Sequence, residues 1–266
     1  MPDYIRKIRQ ENLRAFTIND FQSFFDKSYE YSKSYIHQLM QEKLVVSPFK
    51  GFYVIVDPEN QRRGCMPAEE LVPILMKHLG ANYYVSLLSA GLFFGASHQK
   101  PSRFQIISDK RIKKPLVFKN VAIDVIYKKS LLNLPTKEFT VRTGILKVAT
   151  PELIAIDLLT YPDHSGGINH IATVLSELVD SIRITKLIQL ARATGMEYQL
   201  QRIGYILEKI NVINDENKQK ILKKIADLVQ KEKRDYRKLA PEKSSVGYSR
   251  CKKYRIIENT TVESDV

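Results

Sequence analysis

The stretch SYIHQLMQEKLVVSPFKGFYVIVDP, residues 34–58, changes its hydrophobic period at its midpoint, and few folds accommodate such a change. Through Lys43 the apolar residues Ile36, Leu39, Met40 and Leu44 keep the i, i+3, i+4, i+8 spacing of a one-faced helix. LVV and FYVIV then flank SPFKG, which reads as two short strands about a turn, with Pro48 and Gly51 fixing its dihedrals. Upstream, residues 3–14 set Tyr4, Ile5, Ile8 and Leu13 on roughly one helical face. TINDFQSFF follows, with Thr17 as N-cap, Asp20 three residues later, and a stripe of Ile18, Phe21, Phe24 and Phe25. Ser32 reads as the N-cap of the third helix. Two helices, a turn, a third helix and a hairpin form the order of a winged helix-turn-helix, expected over residues 1–58.

In that motif the third helix needs a buried stripe to dock it and an outer face that can hydrogen-bond. Lys33, Ser34, Tyr35, His37, Gln38 and Gln41 face outward or flank the stripe, and Lys50 with Phe49 sits at the wing tip. Together with Ser32 these residues are the candidate DNA-binding set. Glutamine can pair with adenine, whereas lysine, serine and tyrosine suit phosphates or mixed contacts. A solvated face or a protein-docking module reads the same way from these residues. Residues 1–64 carry 10 basic and 8 acidic side chains, a small excess for a module that binds DNA alone.

The rest of the chain is expected to be a second domain. DPENQRRGCMP is polar and turn-rich, which sets a linker at 59–66 and a C-terminal domain at 67–266. Helical patterns at 67–79 and 83–94 give way to alternation at 103–108, 115–118, 121–127 and on both sides of Thr143-Gly144, the pattern of a small sheet with hairpins. Pro151 opens a helix, four more helical segments run from Gly167 to about Lys233, and KKYRIIE near the end reads as a strand. The fold class is therefore α+β: an N-terminal winged helix-turn-helix, then a mixed α/β domain with a small sheet and a helical C-terminal array. The longest mostly apolar stretch, residues 83–96, is too short to span a bilayer, so no membrane association is expected. Two distant cysteines and a charged N-terminus fit a cytoplasmic protein. The net charge of +13 favours polyanionic partners, and most of the excess lies in residues 181–266, with 19 basic and 11 acidic side chains.

Several blocks also carry a family resemblance. SKSYIHQLMQEKLV with GFYVI, YYVSLLSAGLFFGASHQKP, VATPELIAIDLLTYPDHSGGI, QRIGYILEKI and LAPEKSSVGYSRCKKYRIIEN resemble, in order, segments of AbiEi-type antitoxins. These are the antitoxins of bacterial type IV toxin–antitoxin systems, which act in abortive phage infection. Tyr254 stands where the family pattern has a tryptophan, the glycine expected near Glu42 is missing, and the third helix has fewer outward arginines. The resemblance implies a cytoplasmic, non-enzymatic antitoxin. Its winged helix would bind inverted repeats in double-stranded operator DNA, often cooperatively, and repress its own operon. Its C-terminal domain would counteract a nucleotidyltransferase toxin encoded nearby, with no stable complex required. The alternative is a stand-alone winged-helix regulator or docking module without a toxin.

Other chemistry is weaker. No Gly-Ser turn followed by paired aspartates occurs, so the chain does not read as the toxin itself. Asp109 and Asp124 lie in or at strands, as a metal-dependent nuclease requires, but Ile126 occupies the place of an activating lysine. Asp163, His164 and His170 flank a Gly-Gly turn without a third ligand at metal spacing, and His37, His78 and His98 form no cluster. Ser86 and Ser89 have no accompanying base. Neither cofactor nor metal is expected. The run Lys110, Arg111, Lys113, Lys114 is either a solvated loop or an extension of the phosphate contacts. The helix from Asn217 to Lys233 has a cationic outer face, with Lys218 among its members, suited to DNA, RNA or an acidic partner.

Overall fold

The computed structural model describes residues 3–11, 13–96, 101–114, 116–211 and 215–263. Pro115 and His98, with its neighbours 97–100, lie outside them. The chain is mixed α+β, with ten α-helices and three small sheets among the described residues. It divides into two compact units: Met1–Tyr84 with Ser102–Leu131 and Glu138–Lys147, and Val85–Pro101 with Leu132–Lys137 and Val148–Val266.

The first unit begins with α1 (Asp3–Gln10), β1 (Ala15–Thr17), α2 (Ile18–Phe25), α3 (Tyr29–Gln41), β2 (Val45–Phe49) and β3 (Phe52–Ile55). Thr17 caps α2 as its spacing predicts: Asp20 N–H donates to Thr17 Oγ1 (3.2 Å) and Thr17 N–H to Asp20 Oδ2 (2.7 Å). The strand β1 was not legible in the sequence. Three residues show no period, and β1 exists because β3 pairs with it, Ala15 opposite Val54 and Thr17 opposite Phe52, in a sheet of order β1-β3-β2.

Three further expectations are corrected here. The N-cap of α3 is Ser28, whose Oγ accepts from Tyr31 N–H (3.3 Å); Ser32 lies a turn inside the helix. Met40 is exposed, because the buried stripe runs through Ser32, Ile36 and Leu39, and Met40 lies about 100° further round the helix. The hairpin turns on Lys50 and Gly51 alone, with Gly51 at φ +77°. Ser47 and Pro48 belong to β2, where the register slips between Val46↔Val54 and Phe49↔Phe52. A strand tolerates proline at such a bulge.

One buried cluster holds these six elements together: Ile5, Ile8, Phe16, Phe21, Ile36, Leu39, Val45 and Ile55. Tyr4 and Phe25 meet edge-on beside it, with ring centroids 4.2 Å apart. The helix α3 passes straight into β2 because its end reverses tightly. Leu44 N–H donates to Leu39 O (3.0 Å) and Lys43 N–H to Met40 O (3.1 Å), with Lys43 left-handed at φ +58°. This is the paired C-terminal bond pattern that glycine normally serves.

The rest of the first unit comprises α4 (Ala68–Leu79) and most of a six-stranded sheet. Its strands are β4 (Tyr83–Val85), β5 (Phe104–Ser108), β6 (Leu116–Phe118), β7 (Val121–Tyr127), β8 (Thr136–Val141) and β9 (Gly144–Ala149), in the order β6-β7-β5-β4-β9-β8. Residues 83–94 are not the single helix that their apolar run suggests. Tyr83–Val85 enter the sheet, where Val85 pairs with Val148, and only α5 (Leu87–Gly91) and a following short turn are helical. A short apolar run cannot by itself separate buried strand from buried helix. Between β3 and α4, within 59–66, Asn60 and Cys65 are buried.

In the second unit α6 (Pro151–Thr160) is surrounded on all sides by α5, α7 (Gly167–Leu178), α8 (Ile184–Thr194) and α9 (Tyr198–Lys209), with Glu152 through Leu159 buried. The helix α10 (Asp215–Lys231) packs on α9, and β10 (Arg237–Lys238), β11 (Arg250–Cys251) and β12 (Ile256–Ile257) form a small sheet. The strand expected across KKYRIIE shortens to Ile256–Ile257. Tyr254 is fully buried against Gly204 of α9. A Cβ on Gly204 would stand 2.7 Å from the Tyr254 ring and 2.9 Å from Ile225 Cγ2.

Two substitutions test these contacts by urea denaturation. Lys43→Gly should raise stability by about 0.5–1 kcal/mol, since glycine removes the left-handed penalty at some cost in chain entropy. A lower midpoint for Lys43→Gly than for wild type would contradict that account of the α3 terminus. Gly204→Ala should destabilise by roughly 1–3 kcal/mol, because the ring and methyl it meets are both buried.

Candidate nucleic-acid interface

The docking stripe of α3 decides which of its side chains reach solvent. With Ser32, Ile36 and Leu39 inward, the opposite arc carries Lys33, Ser34, His37, Gln38 and Gln41, all exposed. These five form one surface. Gln38 is engaged within it, its Nε2 donating to Glu42 Oε1 (2.9 Å), an exposed bond that costs little to exchange. Two other members of the predicted set lie elsewhere. Ser32 is buried and its hydroxyl donates to Ser28 O (2.8 Å), so it packs the helix rather than facing a ligand. Tyr35 is half-buried on the core side, its ring 4.7 Å from Tyr4 and stacked at 6.1 Å on Tyr31.

The hairpin separates Lys50 from Phe49. Lys50 is exposed in the two-residue turn, whereas Phe49 is half-buried and pairs with Phe52, whose ring stacks on His78 at 4.4 Å. Sequence reasoning missed Tyr29, Tyr31 and Met40, which are exposed on α3. The only signal for them was their offset from the true stripe. Lys27, Lys33 and Lys43 alternate with Glu30 and Glu42 along this region, so its charge is mixed.

The basic run after β5 splits in two. Lys110 Nζ donates to Leu79 O (2.6 Å) and so satisfies the last turn of α4, and the Arg111 guanidinium lies 4.3 Å from the Tyr127 ring centroid. Lys113 and Lys114 are exposed. On α10, Lys218 turns inward, with Nζ donating to Ile210 O (2.8 Å), while Lys223 and Lys224 stay on the outer face.

The aspartates considered for a nuclease do not converge. In the parallel pairing of β5 with β7, Gln105 stands opposite Asp124 and Ser108 opposite Tyr127. Asp109 therefore falls beside Lys128, roughly 13 Å along the strand from Asp124. Asp109 also accepts from Asn82 N–H (3.0 Å) and Nδ2 (2.7 Å), which closes the start of β4. Among the described residues no three His, Cys, Asp or Glu side chains gather as metal ligands. Around His164 the chain makes the tight turn expected of it: Gly166 and Gly167 have φ of +75° and +82°, and Ser165 Oγ donates to Tyr161 O (2.9 Å). Ser86 is no nucleophile in the open; it is buried and donates to Asp157 Oδ2 (2.8 Å). Burial also pushes the Cys65 thiol up to about 12, so it stays protonated.

No helix among the described residues is long and apolar enough to cross a membrane. Residues 84–209 match the model of the AbiEi antitoxin C-terminal domain, a family of antitoxins rather than of enzymes. No curated protein matches the chain. Among solved structures, the RV2827C protein from Mycobacterium tuberculosis is similar at a TM-score of 0.64 and 16% identity, covering 100% of this chain and 92% of that one. At that identity the likeness concerns the fold alone.

Because Lys110 serves α4, Lys110→Met should lower stability by roughly 0.3–1 kcal/mol in a denaturation series. Unchanged stability would return Lys110 to the pool of free surface cations.

Proposed function

We propose that this chain, whose residues 84–209 match the antitoxin domain, is the antitoxin of a type IV toxin–antitoxin system and represses its own operon. The match over those residues is the observation that carries the antitoxin role. In this reading residues 1–58 act as a winged helix-turn-helix on inverted repeats of operator DNA. The C-terminal domain, residues 67–266, counteracts a nucleotidyltransferase toxin without a lasting complex, in the setting of abortive phage infection.

Support for DNA binding comes from the order α1-β1-α2-α3-β2-β3 and from the outward arc of α3. Presented to a major groove, Gln38 and Gln41 offer amides to base edges, His37 and Ser34 offer shorter donors, and Lys33 meets the backbone. Lys50 at the hairpin turn reaches adjacent phosphates. With a mixed charge on α3, affinity depends on further cations such as Lys113 and Lys114, or on two copies sharing an inverted repeat. A second reading, a regulator or protein-docking module without a toxin, draws on the exposed Tyr29, Tyr31 and Met40, since aromatic residues and methionine are favoured at protein interfaces.

The full-length protein should bind the duplex upstream of its own gene in preference to a scrambled duplex, across a salt series. Lys33→Ala and Lys50→Ala should each weaken binding on every sequence and reduce the salt slope by about one unit. Gln38→Ala should lose about 1–3 kcal/mol at one base pair. Equal binding to native and scrambled duplex would remove the repressor role. In cells, Lys33→Ala with Lys50→Ala should derepress the operon and still rescue growth from the neighbouring toxin gene. Failure of the wild type to rescue growth would remove the antitoxin role.

A further inference from the structure

The second unit contains a buried cation whose hydrogen-bond partners among the described residues are all neutral. Arg202, in the first turns of α9, is 7% exposed. Its Nε donates to Lys238 O (2.9 Å) and its Nη1 to Gln199 Oε1 (3.0 Å), both neutral acceptors, and its guanidinium lies 5.5 Å from the Tyr198 ring centroid. By contrast, the partly buried Arg9 and Arg14 meet the carboxylate of Asp57 (2.6 and 3.1 Å). A desolvated charge without a counter-ion is expensive to maintain. Burial draws the Arg202 pKa down, the like charge of Arg237 adds to this, and Tyr198 and Glu242 oppose it.

Beside this guanidinium opens a cavity of about 490 Å³, lined by Thr160, Tyr198, Gln199, Arg202, Glu242 and their neighbours. Its walls are held in place. Gln199 is 1% exposed, receives Arg202, and donates from Nε2 to Thr160 Oγ1 (3.3 Å), which in turn donates to Ile156 O (2.7 Å). On the far side Asn259, 1% exposed, brackets Ala240 by accepting from its N–H (3.0 Å) and donating to its carbonyl (2.7 Å), just before the lining residues Pro241 and Glu242.

We infer that this cavity binds a small phosphate monoester, its phosphate on Arg202 and its organic part in the remaining volume. Guanidinium is the side chain best suited to phosphate oxygens, and Nη2 is uncommitted among the described residues. The cavity has the size of a site for a whole organic molecule rather than a bare ion. The carboxylates of Asp163 and Glu242 at the exposed rim oppose an anion and so limit affinity. All of the lining residues belong to the second unit.

The test is titration calorimetry of the full-length protein with adenosine monophosphate, inorganic phosphate and adenosine. The monophosphate should bind with one-to-one stoichiometry, phosphate alone more weakly, and adenosine weakest. Arg202→Gln should abolish binding. Should that variant fail to fold, two surface changes decide: Glu242→Gln should tighten binding several-fold by removing a like charge, and Arg237→Ala should weaken it to a similar degree. Absence of heat with the monophosphate and phosphate at millimolar concentration would overturn the inference. So would binding indifferent to both Glu242→Gln and Arg237→Ala, which would place the anion elsewhere on the basic surface.

Discussion

The inward stripe of α3 is the contact on which the N-terminal module depends. Ile36 and Leu39 sink into a cluster built from α1, α2 and the three-stranded sheet, each worth about 1.5–3 kcal/mol of burial. Everything presented outward follows from that docking. A helix rotated by one residue would expose Leu39 and bury Gln38 or Met40, at a cost of several kcal/mol. The same stripe sets the hairpin, because Leu44 bonds back to Leu39 while Val45 joins the cluster. Lys33 and Lys50 thus take their positions from apolar residues they never touch.

Buried charge divides the molecule's polar interior into two kinds. Asp57, 8% exposed, collects Arg9 and Arg14 and has Arg142 at 3.7 Å, tying the ends of α1, β1 and the β8–β9 hairpin. Glu152 accepts from Arg183 N–H (3.0 Å), and Asp157 takes the Ser86 hydroxyl. Each of these carboxylates has a structural task. Arg202 hydrogen-bonds only to neutral acceptors among the described residues, and it opens on a cavity. A buried ion that lacks its counter-ion indicates a ligand more strongly than one already paired.

How much was legible can be traced residue by residue. The Thr17–Asp20 cap, the exposed arc Lys33, Ser34, His37, Gln38 and Gln41, the Pro-led helix at 151 and the strand at 121–127 could all be read from spacing. Ser32 could not be placed, because Ser28 lies one turn earlier and either can cap. Tyr83–Val85 could not be told from helix, since its strand character comes from β9. Lys110 and Lys218 looked like surface cations, yet each ends on a backbone carbonyl contributed by another segment.

By itself the sequence determined what local chemistry can determine: periods of 3.6 and 2, caps, turns, the +13 charge and, over residues 84–209, the match to an antitoxin domain. Those signals act over a few residues and survive in a single string. Tertiary structure alone decided which cations are spent on carbonyls, which tyrosines face the core, and that Arg202, Gln199, Thr160 and Glu242 line one cavity. These depend on pairings between different segments of the chain, such as Leu79 with Lys110, Thr160 with Gln199 and Arg202 with Lys238, and a hydrogen bond or a desolvation energy across such a gap leaves no period in the sequence to read.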